Sequence, residues 1–87
     1  MNGLSTTIAH AGFSFLVQTQ DSGPRAHFLE TLVYRSGRLV YSRRTSYTTI
    51  LDDPHRDDRL TGLVRDQHKS VVDDAAAGRL DAHLLKP

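Results

Sequence analysis

The stretch Phe28-Leu29-Glu30-Thr31-Leu32-Val33-Tyr34-Arg35-Ser36-Gly37-Arg38-Leu39-Val40-Tyr41-Ser42-Arg43-Arg44-Thr45-Ser46-Tyr47 decides the fold. Two runs rich in aromatic and β-branched residues, which suit a pleated and half-buried surface, flank the pair Ser36-Gly37. Gly37 supplies the positive φ that a two-residue hairpin turn requires. With Ser36-Gly37 as the loop, Arg35 faces Arg38, Tyr34 faces Leu39, Val33 faces Val40, Leu32 faces Tyr41 and Glu30 faces Arg43. One face then carries Phe28, Leu32, Tyr34, Leu39, Tyr41 and Tyr47, with a Glu30/Arg43 cross-strand pair, and is the expected core face. The other carries Leu29, Val33 and Val40 among Thr31, Ser42, Arg35, Arg38 and Arg44. A four-residue loop from Arg35 to Arg38 would preserve most of this pattern, whereas a one-residue slip would exchange the two faces.

Upstream, Phe13, Phe15, Val17 and Thr19 alternate with Ser14, Leu16, Gln18 and Gln20, the period of a strand with one buried face. Asp21-Ser22-Gly23-Pro24 has turn composition and makes this strand the antiparallel neighbour of the hairpin. Residues 1–12 are small and polar; Thr6-Thr7-Ile8 reads as a short edge strand or as part of a frayed arm. The expectation for residues 13–49 is therefore a three-stranded antiparallel meander.

Downstream, Asp52-Asp53-Pro54 reads as a helix start, with proline at a position where its missing N–H costs nothing. Leu60, Leu63, Val64, Gln67, Val71, Val72 and Ala75 then form one stripe at helical spacing, opposite the charged residues Arg59, Arg65, Asp66, Lys69, Asp73 and Asp74. Gly62 inside this helix marks a close approach to the sheet, and Gly78 is its C-terminal cap. The spacing predicts a helix over 54–78, then a tail over 79–87 whose Leu80, Leu84 and Leu85 must dock on this chain or on another, being too short to stand alone. The fold class is α+β: a meander followed by one long amphipathic helix across its aromatic face, in a single domain.

Composition narrows the function. With 87 residues there is room for one domain, and a core this small buries only about 60–65% of the unfolded surface, so association would add stability. The absence of cysteine excludes disulfides, thiolate metal sites and thiol nucleophiles. Residues 1–12 have neither the basic nor the apolar region of a signal peptide, and no apolar run is long enough for a membrane span, so the expected compartment is the cytoplasm. Net charge is +1, but unevenly placed: Arg25, Arg35, Arg38, Arg43 and Arg44 oppose only Glu30 in the sheet, whereas eight aspartates outnumber the five basic residues of 52–83.

Few residues carry candidate chemistry. His10, His27, His55, His68 and His83 lack the paired spacing of a metal site. The acidic cluster Asp52, Asp53, Asp57 and Asp58 around His55 lacks the glycine and terminal glutamate of a calcium loop, and capping explains it. No metal and no cofactor is expected. Ser42 or Ser46 with His68 and Asp66 makes a paper triad without a nucleophile elbow, and there is no phosphate loop or dinucleotide fingerprint. His68, at the edge of the apolar stripe, fits a hydrogen-bonded structural histidine or a proton-responsive one. The expectation is a non-catalytic interaction or assembly module, self-associating as a homodimer or binding a protein partner, with Leu29, Val33, Val40, Leu80, Leu84 and Leu85 at the contact. The alternative is nucleic-acid binding through Arg35, Arg38, Arg43 and Arg44 on the hairpin.

Overall fold

The computed structural model describes residues 3–22 and 26–86. Four strands run β1 (Leu4–His10), β2 (Phe13–Asp21), β3 (Phe28–Arg35) and β4 (Arg38–Ser46). They form one antiparallel sheet in that order. A single 3-10 turn at Thr48–Ile50 leads to the long helix α1 (Arg56–Ala76) and the one-turn helix α2 (Asp81–Leu84). The α+β expectation holds with a correction: the sheet has four strands, not three. Residues 4–10 pair fully with β2, from Leu4 opposite Thr19 to His10 opposite Phe13.

The turns follow from local chemistry. Ala11 and Gly12, and again Ser36 and Gly37, take positive φ in succession, as the hairpin turn whose twist matches paired strands requires. Between β2 and β3 the Ser22 amide donates to the Phe28 carbonyl at 3.1 Å. The expected turn at 21–24 lies partly outside the described residues, as do Arg25 and Pro87.

Near the Ser36-Gly37 turn the register is the expected one, with Arg35 opposite Arg38 and Tyr34 opposite Leu39. A β-bulge then inserts Val40, so that Val33 faces Tyr41, Leu32 faces Ser42 and Glu30 faces Arg44. One extra residue reverses the facing of everything beyond it. Arg44, not Arg43, therefore pairs with Glu30, at 2.7 Å, while Arg43 turns to the helix and meets Asp74 at 3.1 Å.

The helix covers the face opposite to the one expected. Phe15, Val17, Leu29 and Val33 are buried beneath it with Val64, Val71 and Ala75. Leu80 and Leu84 close one end of this core, with Val40, Tyr41 and Leu85 packed against it. A second cluster of Leu29, Tyr47, Ile50 and Val64 closes the other end. Of the expected core face, Tyr47 is buried and Tyr41 packs against the core, both beyond the bulge, whereas Leu39 is 51% exposed and Phe28, Leu32 and Tyr34 are half-buried.

Asp53 accepts the His55 amide at 2.8 Å and holds Arg59 at 2.8 Å just ahead of the helix. These contacts, the backbone one foremost, keep its carboxyl below the usual range. At the other end Gly78, with φ of 83°, leaves the helix left-handed while Ala77 and Arg79 amides return to the Asp73 and Asp74 carbonyls. Gly62 proves not to be a close approach, because a Cβ there would meet nothing within 4 Å. Gly62→Ala should raise stability by about 0.5–1 kcal/mol through helix propensity. A higher urea midpoint at unchanged slope is the expected result; a lower one would contradict the open space around this position.

Candidate functional site

Alternation along the strands sorts the sheet residues onto two surfaces. Opposite the helix stand Thr7 of β1, Ser14, Leu16 and Gln18 of β2, Glu30, Leu32 and Tyr34 of β3, and Leu39, Ser42 and Arg44 of β4. Leu16 sits opposite Tyr34 and Gln18 opposite Leu32 in the β2–β3 pair, and Tyr34 sits opposite Leu39 in the next. These pairs put an apolar centre of Leu16, Leu32, Tyr34 and Leu39 in the middle of the uncovered surface. A shallow concavity lined by Thr7, Ser14, Leu16, Gln18, Tyr34, Ser36 and Gly37 opens on it.

This surface is electrically quiet. Of its strand positions only Glu30 and Arg44 are charged, and they neutralise one another at 2.7 Å, with the Arg44 guanidinium also over the Phe28 ring at 4.8 Å. Charged residues make up 24% of the chain, and the other described ones lie on the helix, the turns, the tail and the helix side of the sheet.

The residues expected at a contact are placed differently. Leu29, Val33 and Leu84 are at most 1% exposed and Leu80 is 7% exposed, all within this chain's own core. Val40 and Leu85 pack against that core. The tail docks in cis: Arg35 donates to the Leu84 and Lys86 carbonyls at 3.0 and 3.1 Å, and His10 meets Asp81 at 2.7 Å. The correction follows from the exchanged faces, since the patch that needed covering is the one the helix covers.

The four arginines do not share a surface. Arg35 holds the tail and stacks over Phe13 at 4.9 Å, Arg43 contacts Tyr41, Ser70 and Asp74, and Arg44 pairs with Glu30. Arg38 is exposed, with no hydrogen bond or ion pair to another described residue. The basic sheet and acidic helix thus complement each other inside one chain, through Arg43 and Asp74. Asp74 also holds Arg79 at 2.7 Å, and the two arginines keep its carboxyl below the usual range.

The paper triad is dispersed as well. Ser42 lies on the open sheet surface and Ser46 at its rim, Asp66 is exposed, and His68 is in the core at 8% exposure. Among the described residues no three His, Asp or Glu side chains converge as metal ligands.

His68 instead belongs to a buried chain of polar groups. Its Nε2 lies 2.8 Å from Thr6 Oγ1 and its Nδ1 2.8 Å from Thr19 Oγ1. Thr19 and Thr31 hydroxyls are 2.8 Å apart, and the Gln67 amide donates to Thr31 at 3.0 Å and to the Arg43 carbonyl at 3.2 Å. A carbonyl can only accept, which fixes the orientation of Gln67, so that its amide donates to Thr31. The Thr31, Thr19 and Thr6 hydroxyls can each donate or accept, and both ring nitrogens of His68 are engaged by a hydroxyl. No buried side-chain polar atom among the described residues lacks a partner.

Burial lowers the His68 pKa below its ordinary value of 6.5. The unfolded chain then binds this proton more readily than the folded one. Stability is full above pH 6.5 and falls as pH drops through the folded value, ahead of the carboxylates Asp53 and Asp74, whose losses come below 3.8. Urea midpoints should decline between pH 7 and pH 5, and a flat profile would mean His68 charges freely in the fold.

Comparison with family models, with curated proteins and with solved structures gives no match. No helix among the described residues is long and apolar enough to cross a membrane.

Proposed function

We propose that this chain is a non-catalytic assembly module of the cytoplasm that binds a protein partner, either a second copy or a different subunit, through the open surface of its sheet. The observation that supports it is a four-stranded sheet that, among the described residues, is covered on one side only, its other side apolar at the centre and carrying a single, internally neutralised ion pair. Contact surfaces are depleted of charge at their centre and enriched in tyrosine and other large side chains, as here. A contiguous apolar patch on a sheet is also costly to leave in water. His68, Arg35 and Arg43 are by contrast engaged in holding the helix and tail to the sheet.

Light-scattering mass over a range of protein and salt concentrations tests the proposal. The expected particle exceeds 9.7 kDa and is insensitive to salt, because no net charge lies in the contact. Association that dissolves as salt rises would place the contact on the charged helix or turns instead.

A further inference from the structure

We infer that the occupant of the open sheet surface is a second copy of this chain, stacked sheet on sheet about a two-fold axis with the helices outermost; this rests on the assembly reading above. Three features select a copy of the same chain over an unrelated partner. First, a two-fold contact sets each group against the same surface, so net charge of either sign would repel itself. Here Glu30 and Arg44 cancel within each copy, and Leu16, Gln18, Leu32 and Tyr34 around the centre are neutral.

Second, the surface is a sheet face with a shallow concavity, and sheets carry a right-handed twist. The cover that matches its twist is another sheet of the same twist, packed about 10 Å away with strands about 30° apart. Third, the area fits. Four strands of seven to nine residues span about 19 by 27 Å, or about 500 Å² per copy and about 1,000 Å² for two. That lies at the lower bound for a specific interface, so the dimer should be reversible and dependent on concentration.

The chain has no cysteine, so single introduced cysteines report distances without background. In the stacked arrangement, spin labels on Gln18→Cys near the axis lie within about 20 Å of each other. Labels on Lys69→Cys, exposed on the far side of α1, lie beyond about 30 Å, since two sheets about 10 Å apart each carry a helix about 10 Å behind. Leu39→Glu, at an already exposed position, and Leu32→Glu should each weaken dimerisation at least about tenfold with the circular dichroism unchanged, because each places an unpaired charge against its own copy.

A doubled mass with short Gln18 distances, abolished by either glutamate, supports the inference. A dimer with distant Gln18 labels that both glutamates leave intact overturns the inference and the choice of surface. A monomer at all concentrations whose Leu16 and Leu32 methyls are reached by a soluble paramagnetic probe overturns the second copy but leaves the surface free for a different protein. A monomer with those methyls shielded overturns both.

Discussion

Val33→Asp is expected to leave the chain unfolded at 25 °C, whereas Leu39→Asp, one strand away, leaves it folded. Val33 has no exposure and lies between Val17 on β2 and Tyr41 on β4, under the helix residues Val71 and Ala75. A carboxylate there has no cationic neighbour on β2 and must be buried unpaired or take up a proton, at a cost of several kcal/mol. The isopropyl group's own burial is lost too, roughly 1.5–3 kcal/mol. At roughly 0.05–0.15 kcal/mol per residue, a chain of this length has about 4–13 kcal/mol in total, so most or all of it is consumed. Leu39 is half in water already, and its replacement should change monomer stability by less than about 1 kcal/mol. Circular dichroism and urea titration decide the matter. A native-like Val33→Asp protein would mean that the helix does not cover this side of the sheet.

The hairpin, its turn and the long helix were legible because each rests on a local signal: Gly37 at a positive-φ position, alternation in β2, and a continuous apolar stripe from Leu60 to Ala75. The side of the sheet that the helix covers was not. β3 is apolar on both sides, with Leu29 and Val33 on one and Phe28, Leu32 and Tyr34 on the other, so its period offers no choice and side-chain size points to the wrong answer. What decides it is a pair of non-local facts. Val17 stands opposite Val33, which joins the buried face of β2 to the smaller residues of β3. Thr19 and Thr31 also acquire hydrogen-bond partners in Gln67 and His68, which makes threonine an acceptable core residue. The bulge at Val40 is equally invisible to pattern, because Leu39-Val40-Tyr41 is apolar whichever residue is extra. β1 was legible only as a short edge strand at Thr6-Thr7-Ile8 or a frayed arm, because its inward residues are Leu4, Thr6, Ile8 and His10, too polar for an alternation signal until His68 and Asp81 are known to receive the polar ones.

The open sheet surface was obscured for the same reason. Leu16, Leu32, Tyr34 and Leu39 are ordinary strand residues, and only the knowledge that the helix is elsewhere puts them on the open side, Leu39 exposed and the other three half-buried. The docking tail was readable as dependent on a partner surface. Its choice of this chain rests on Arg35, whose guanidinium reaches two tail carbonyls that no pattern reveals.

Thr19→Val should cost about 2–4 kcal/mol, although it preserves the shape and burial of the side chain. Thr19 is 1% exposed and stands in the middle of the polar chain, hydrogen-bonded to the Thr31 hydroxyl and to His68 Nδ1. Valine takes one of the Thr31 hydroxyl's hydrogen bonds, leaving it only Gln67, and leaves His68 Nδ1 buried without a partner, each loss worth about 1–3 kcal/mol. The layer lies between the two apolar clusters: Thr31 falls between Leu29 and Val33, and His68 between Val64 and Val71. Sliding the helix by a turn or a strand by a residue would orphan the whole set, so the layer fixes the register of helix on sheet as well as adding stability. The test of that role is non-additivity. Removing donors and acceptors together, as Thr19→Val with Thr31→Val and His68→Leu, takes away the groups that the single change orphans, and should recover most of the loss. The triple variant should also lose the decline in stability between pH 7 and pH 5, since the titrating group is gone. A triple variant whose loss equals the sum of its three single losses would mean the groups act separately.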